Sequence, residues 1–328
     1  MLRALYSTNA NDNKLDEAFA ELVLGAQTQR DYPVCRRYIA HLVNLYINSH
    51  HRGNIEDLSE TLLELYLTAK ASSNGFPDPE EAGYCSFRIQ DNALLRIRIF
   101  PYHNDVSLKL WEAGAVLAEY LVGNHCKMIR DSTIVELGAG VGATGLALVA
   151  AGATNVLCTD YTERALQNME HNFDQADWLS KEENAKDRIR AAHLDWNEEF
   201  LASHVDKEFR NANLLIAADV AYDRSVLQPL VRTVRRFLQS KNDSNNHPAK
   251  KTKKAIFATT RRNLETFRLL RQQVAAHSIA CRILDYNPSK YPVLFPKKFH
   301  QKRLDVELWE LTLSGDVRDT SSQRNATN

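Results

Sequence analysis

The segment Thr133–Asp160, TIVELGAGVGATGLALVAAGATNVLCTD, constrains the fold more than any other part of this chain. The β-forming residues Thr133–Leu137 run into Gly138, Gly140 and Gly142, and the Ala/Leu-rich helix that follows closes at Gly152. A second short strand, Asn155–Thr159, delivers Asp160 to the same edge of a parallel sheet, 22 positions after Gly138. Glycines let the backbone approach a ligand, the helix start offers free N–H groups, and an acid at the second strand's end can accept from ribose hydroxyls. A nucleoside-bearing cofactor is expected.

Gly140-Val-Gly142-Ala-Thr-Gly145 also satisfies the GxGxxG pattern of dinucleotide binders, and a glycine turn can serve strand-to-helix packing alone. Glu136, two residues before the first glycine, decides between these. An acid there suits an amino-acid ammonium lying over the loop and repels a pyrophosphate. S-adenosylmethionine (AdoMet) carries that ammonium and a cationic sulfonium, with no phosphate. The sequence E-L-G-x-G-x-G resembles motif I of the seven-β-strand methyltransferases. That resemblance implies an α/β fold with a Rossmann-like seven-stranded sheet.

The 328 residues suffice for one large domain and a smaller appendage, and 44% hydrophobic residues can fill a core. Lys plus Arg equals Asp plus Glu, 41 against 41, so no nucleic-acid-like positive field is expected. Cys35, Cys85, Cys126, Cys158 and Cys281 are odd in number and form no CxxC, which points to free thiols in a reducing compartment. There is no HExxH, and the pair His50-His51 falls in a polar connector, so no metal is expected. Nothing in the sequence resembles a signal peptide or an apolar run of about 18 residues. A soluble, intracellular, monomeric protein with no membrane partner is expected.

Apolar residues recur at helical spacing at Leu15, Phe19, Leu22 and Val23, at Ile39, Leu42, Val43, Tyr46 and Ile47, and from Leu58 to Tyr66. Pro33 can start the second of these helices and Gly53 can help end it. Residues 1–75 therefore read as a helical region, either a stabilising cap or a substrate-docking surface. Ala71–Pro79, rich in Ser, Asn, Gly and Pro, is the clearest boundary. Beyond it, Tyr84–Ile89 and Leu94–Phe100 read as a β-hairpin, and Leu108–Leu121 as a helix. Strand and helix then alternate: helix Glu163–Phe173, strands Arg188–Leu194 and Leu214–Ala218, helix Val226–Leu238. After a polar loop, Lys241–Lys254, come strand Ala255–Thr259, helix Leu264–His277, and strands Ile279–Leu284 and Val306–Leu313. The alternation predicts a largely parallel sheet of seven strands over residues 84–314. The long, aperiodic stretch Asp285–Asp305 predicts an antiparallel final pair. The polar tail 315–328 is too poor in apolar residues to fold.

Strand ends carry the remaining candidates. Asp195-Trp196 follows the third strand, where a carboxylate can accept from an exocyclic amine and an aromatic can cover a purine, unless Trp196 is rim packing. Ala218-Asp219-Val-Ala-Tyr222 ends the fourth strand, and Asp219 can line a pocket or cap a helix. Arg261, after the fifth strand, can shape the same pocket or stand in solvent.

The tetrapeptide Asp219-Val-Ala-Tyr222, a DxxY motif, resembles that of the seven-β-strand protein-lysine methyltransferases. With it go Trp111 in VSLKLWEAG, Leu194-Asp195-Trp196, Phe257–Phe267, Leu294-Phe295-Pro296, and the N-terminal Asp31–Tyr38 and Leu58–Lys70. Together they resemble the family with sequence similarity 86, over nearly the whole chain from about residue 30. The resemblance implies AdoMet-dependent methylation of a lysine on translation elongation factor 2, in the cytoplasm. It further implies that Glu136, Gly138 and Gly140 hold the methionine portion, Asp160 the ribose, and Asp195 and Trp196 the adenine end. Ala218 would border the cofactor, Trp111 would contact cofactor or pocket wall, and Asp219 and Tyr222 would line the lysine entrance. Asp219 would orient the lysine first and act as base second. Three other classes are less well matched. Glu136 opposes a nicotinamide-dependent oxidoreductase. DxxY and neutral charge oppose an AdoMet enzyme acting on RNA or a small amine, and the complete loop-to-tetrad set opposes an idle binding module.

Overall fold

The computed structural model describes residues 12–24, 31–73, 76–89, 93–124, 126–176, 178, 185–198, 203–240, 252–291, 294–295 and 305–315. The expected tail beyond Gly315, most of the polar loop after Ser240, and Pro296 lie outside the described residues. The chain divides into two compact units, Met1–Cys85 with Arg96–Val106, and Ser86–Leu95 with Ser107–Asn328.

The first unit contains helices α1 (Asp12–Leu24), α2 (Arg36–His50) and α3 (Glu60–Ser73). Their apolar stripes meet in a core of Phe19, Val23, Val43, Tyr46, Ile47, Leu62 and Leu65. A buried carboxylate stands among them. Asp16 accepts from the Tyr46 hydroxyl at 3.0 Å and the Ser59 N–H at 3.0 Å, and its Oδ1 lies 2.7 Å from His51 Nε2. His51, expected in a polar connector, turns its ring onto that buried carboxylate, while His50 stacks on Tyr46. Among the described residues no group of His, Cys, Asp or Glu is arranged to hold a metal. Pro33 lies before the second helix without opening it. Cys35 is the N-cap, and the Pro33 carbonyl accepts from Tyr84 N–H at 2.9 Å. Gly53, at φ +82°, ends the helix by donating to the Ile47 carbonyl.

Strands β1 (Gly83–Ile89) and β2 (Ala93–Ile99) pair in a two-stranded sheet. The second unit continues with α4 (Glu112–Asn124), α5 (Cys126–Arg130), β3 (Thr133–Leu137), α6 (Ala143–Ala150), β4 (Asn155–Asp160), α7 (Glu163–Asp174), β5 (Ile189–His193), α8 (Ser203–Asn211) and β6 (Leu214–Ala218). It ends with α9 (Leu227–Gln239), β7 (Lys254–Thr260), α10 (Leu264–Ala276), β8 (Ile279–Leu284) and β9 (Val306–Leu313). The sheet has seven strands in the order β5-β4-β3-β6-β7-β9-β8, parallel except for β9, which runs antiparallel to both neighbours. Strand order reverses between β3 and β6, the switch point where ligands of open α/β sheets bind.

Side-chain caps set two helix starts: Thr162 accepts from Ala165 N–H, and Asn263 accepts from the N–H groups of Glu265 and Thr266. One face of the sheet is closed by Val135, Leu215, Phe257, Leu230, Phe237 and Trp309, the last in edge contact with Phe267. The helix expected from Leu108 begins at Glu112 instead. The segment before it turns over the glycine loop, and the Ser107 carbonyl lies 2.8 Å from where a Cβ on Gly140 would stand. The polar loop expected to reach Lys254 ends earlier, because Lys254 opens β7. Just before it the buried Lys253 ammonium donates to the carbonyls of Phe209 and Arg210 and to Ser240 Oγ.

Candidate functional site

The glycine loop leaves β3 at the switch point. Gly138 has φ +61°, and a Cβ there would lie 2.8 Å from Val220 Cγ1 and 3.5 Å from the Trp196 ring, so glycine is required both for the turn and for the close approach of Trp196. Trp196 is half-buried and packs on the core below. The loop is tied to the neighbouring strand end, with Ala139 N–H donating to the Thr159 carbonyl and Gly140 N–H to Asp160 Oδ2, both at 2.9 Å. Asp160 Oδ1 accepts from Tyr161 N–H, and the side chain is nearly buried.

Glu136 is 2% exposed, beneath the loop. Cys158 Sγ donates to its Oε2 at 3.5 Å, and Thr144 and Gly145 at the start of α6 also hydrogen-bond to it. Burial pushes its carboxyl up to about 7; those bonds oppose the shift and the charge of Asp160 adds to it. Burial, and after it the contact with Glu136, pushes the Cys158 thiol up. Asp195 is turned to its own loop, its Oδ1 accepting from the backbone and side-chain nitrogens of Asn197. Ala218, at the end of β6, lies beneath Gly114 of α4.

Asp219 departs from the β6 conformation with φ +52°, one of three non-glycine residues with positive φ among those described. Its side chain is 7% exposed. Oδ1 accepts from Thr260 N–H at 2.8 Å, and Oδ2 from Thr260 Oγ1 and from Arg262 Nη2, both at 3.0 Å. It caps no helix; that part belongs to Asp223, which accepts from Ser225 N–H. Tyr222 is 58% exposed on the following turn. Arg262 Nη2 also donates to Glu112 Oε2 at 3.1 Å, and its Cζ stands 4.8 Å from the centroid of the Trp111 ring. Arg261, the residue singled out from sequence, turns instead to Glu307. Thus Trp111, Asp219 and Ala218 converge at the ends of β6 and β7, and Gly138, Gly140, Asp160 and Trp196 at the ends of β3 and β4. Sequence reasoning missed Arg262, Glu112 and Thr260: Arg262 is 150 positions from Glu112 and 43 from Asp219, and Thr260 is 41 from Asp219. Their only sequence signal was that each adjoins a residue already singled out.

A seven-stranded sheet with one antiparallel strand, a glycine loop at the switch point and a carboxylate at the next strand end define a Rossmann-like methyltransferase. The family model described as lysine methyltransferase matches residues 90–259, just over half of the chain, and the chain belongs to that family. It is 25% identical over 292 residues to the protein-lysine N-methyltransferase EEF2KMT of Homo sapiens, covering 86% of this chain and 81% of that one. It is 27% identical to human FAM86B1 over 80% of this chain and 74% of the other. Its match to the protein N-terminal and lysine N-methyltransferase efm7 of Aspergillus fumigatus is 23% identical over 54% of this chain and 68% of that one. The chain is a protein-lysine N-methyltransferase, as the DxxY resemblance implied.

Proposed function

We propose that this enzyme transfers a methyl group from AdoMet to a lysine of translation elongation factor 2 in the cytoplasm. The observation that carries the target is the extent of the match to human EEF2KMT. Its 86% of the chain exceeds the second unit, so the likeness extends into the N-terminal helices, beyond what a shared catalytic fold requires. No helix among the described residues is long and apolar enough to cross a membrane.

The donor set suits AdoMet. Glu136 and Asp160 are close enough for the charge of one to act on the other, and no Lys or Arg lies between Thr133 and Asp160, an arrangement favouring a cation and opposing a phosphate. When bound, AdoMet supplies a methyl group made electrophilic by its sulfonium. Asp160, whose oxygens have lone pairs beyond those given to Gly140 and Tyr161, accepts from the ribose. Trp196 would cover the adenine, Asp195 would receive its amine through the oxygen not given to Asn197, and Ala218 would form the wall. Glu136 draws the ammonium through its field from beneath Gly138 and Gly140. The acceptor lysine attacks only as a neutral amine, so the lining of Trp111, Tyr222 and Asp219 must guide it in while its proton leaves to water. Asp219 orients the lysine first; acting as base is its secondary role.

The test is incubation with labelled AdoMet and purified elongation factor 2, followed by peptide mapping. A labelled lysine is expected. Label appearing only in another protein, RNA or a small amine would sink the target assignment, and calorimetry showing NAD binding in place of AdoMet would sink the cofactor assignment.

A further inference from the structure

The Arg262 guanidinium stands where three segments of the sheet edge converge. One nitrogen, Nη2, donates to Asp219 at the end of β6 and to Glu112 in the first turn of α4, and the guanidinium lies over Trp111. Two carboxylates facing one guanidinium leave a surplus negative charge beside an indole, in an arrangement 39% exposed at the arginine and far less at the acids. We propose that Arg262 is a positioning residue of the lysine entrance: it fixes Trp111 and Asp219 as walls, and its charge offsets one carboxylate so that an incoming lysine is attracted yet still releases its proton.

The inference rests on the lysine-methyltransferase reading above. Two uncompensated carboxylates would hold an ammonium protonated and unreactive, whereas a neighbouring cation favours the free amine. The other charged groups on these segments are already occupied or outward: Arg224 pairs with Glu265, Arg261 with Glu307, and Asp223 caps its own turn. Lysine cannot replace this arginine fully, because stacking on the indole and bridging two acids both need the planar fork.

The experiment compares the pH dependence of kcat for the wild type, Arg262→Gln, Arg262→Lys and Glu112→Gln, with labelled AdoMet and two acceptors, elongation factor 2 and total cytosolic protein. In Arg262→Gln the rising limb should move up by on the order of one pH unit. In Glu112→Gln it should move down, and Arg262→Lys should restore the limb but keep a raised KM. Calorimetric affinity for S-adenosylhomocysteine should stay within about twofold throughout. Superimposable limbs, or loss of S-adenosylhomocysteine binding in Arg262→Gln, would overturn the proposal. Labelling of the cytosolic mixture alone would overturn the elongation factor assignment and leave the limbs to decide on Arg262. No labelling of either acceptor would overturn both.

Discussion

On the β3–β4 side of the sheet edge, polar contacts join residues 20 and 22 positions apart: Gly140 to Asp160 and Cys158 to Glu136. On the β6–β7 side they join residues 43 and 150 positions apart, Arg262 to Asp219 and to Glu112. The first side is one strand-loop-helix-strand unit whose groups satisfy one another as it folds. The second exists only after three distant segments have been brought together. A cofactor cradle can therefore be carried by one motif, while an acceptor entrance depends on the whole sheet.

The largest break in that comparison comes from Gly145→Ala. A Cβ there would collide with Cys158 Sγ and crowd Glu136 Oε2 and Ile189, all nearly or fully buried. Overpacking of this kind costs about 1–3 kcal/mol. Calorimetry should show a melting temperature lower by several degrees and binding of S-adenosylhomocysteine lost; a normal melting curve would show that the cradle is not close-packed.

The next effect is on pH. Glu136 titrates near 7 in the folded chain against 4.5 as a free side chain. The folded state thus holds a proton that the unfolded state has lost between those values, so stability falls as pH rises from about 4.5 to about 7. The upper bound is roughly 3 kcal/mol. Urea titrations of Glu136→Gln should lose this slope between pH 5 and 7, and an unchanged slope would place its origin elsewhere.

Asp219→Asn acts on the other side of the edge. Turnover should fall roughly 10²-fold while AdoMet affinity barely changes, since the asparagine keeps an acceptor for Thr260 but loses the charge paired with Arg262. Recovery of turnover at high pH would identify a base; little recovery would identify an orienter. A parallel loss of AdoMet affinity would mean that the two sides are one site energetically.

The smallest effect concerns the first unit. Tyr38 and Leu45 lie two turns apart on α2 and are about half exposed. If that face docks the protein substrate, replacing both with Ser should raise KM for elongation factor 2 several-fold without altering AdoMet binding. An unchanged KM would return the face to the stabilising-cap reading.

The seven strands, the antiparallel final pair and the glycine loop were legible because period and turn chemistry act locally. The burial of Glu136 under Thr144 and Gly145 was less so: the motif announces an acid near a ligand, but not that it serves the loop from below. Asp219 was recognised as a candidate, but its left-handed backbone and its bonds to Thr260 depend on β7 lying alongside β6. Arg262 was passed over for Arg261 because adjacent residues at a strand end point in different directions, and only the register with β9 settles which one turns outward, Arg261 donating its N–H to the Asp305 carbonyl.

The helix α4 carries Glu112 in its first turn and, seven positions later, the buried Glu119, which accepts from the N–H groups of Leu294 and Phe295. Seven residues are almost two turns, so both acids lie on one side of the helix. A single inserted or deleted residue between them would rotate one acid by about 100° and sever either the entrance or the Leu294–Phe295 segment from its anchor. Relatives that keep both acids should therefore keep the spacing between them fixed, even where neighbouring loops gain and lose residues freely.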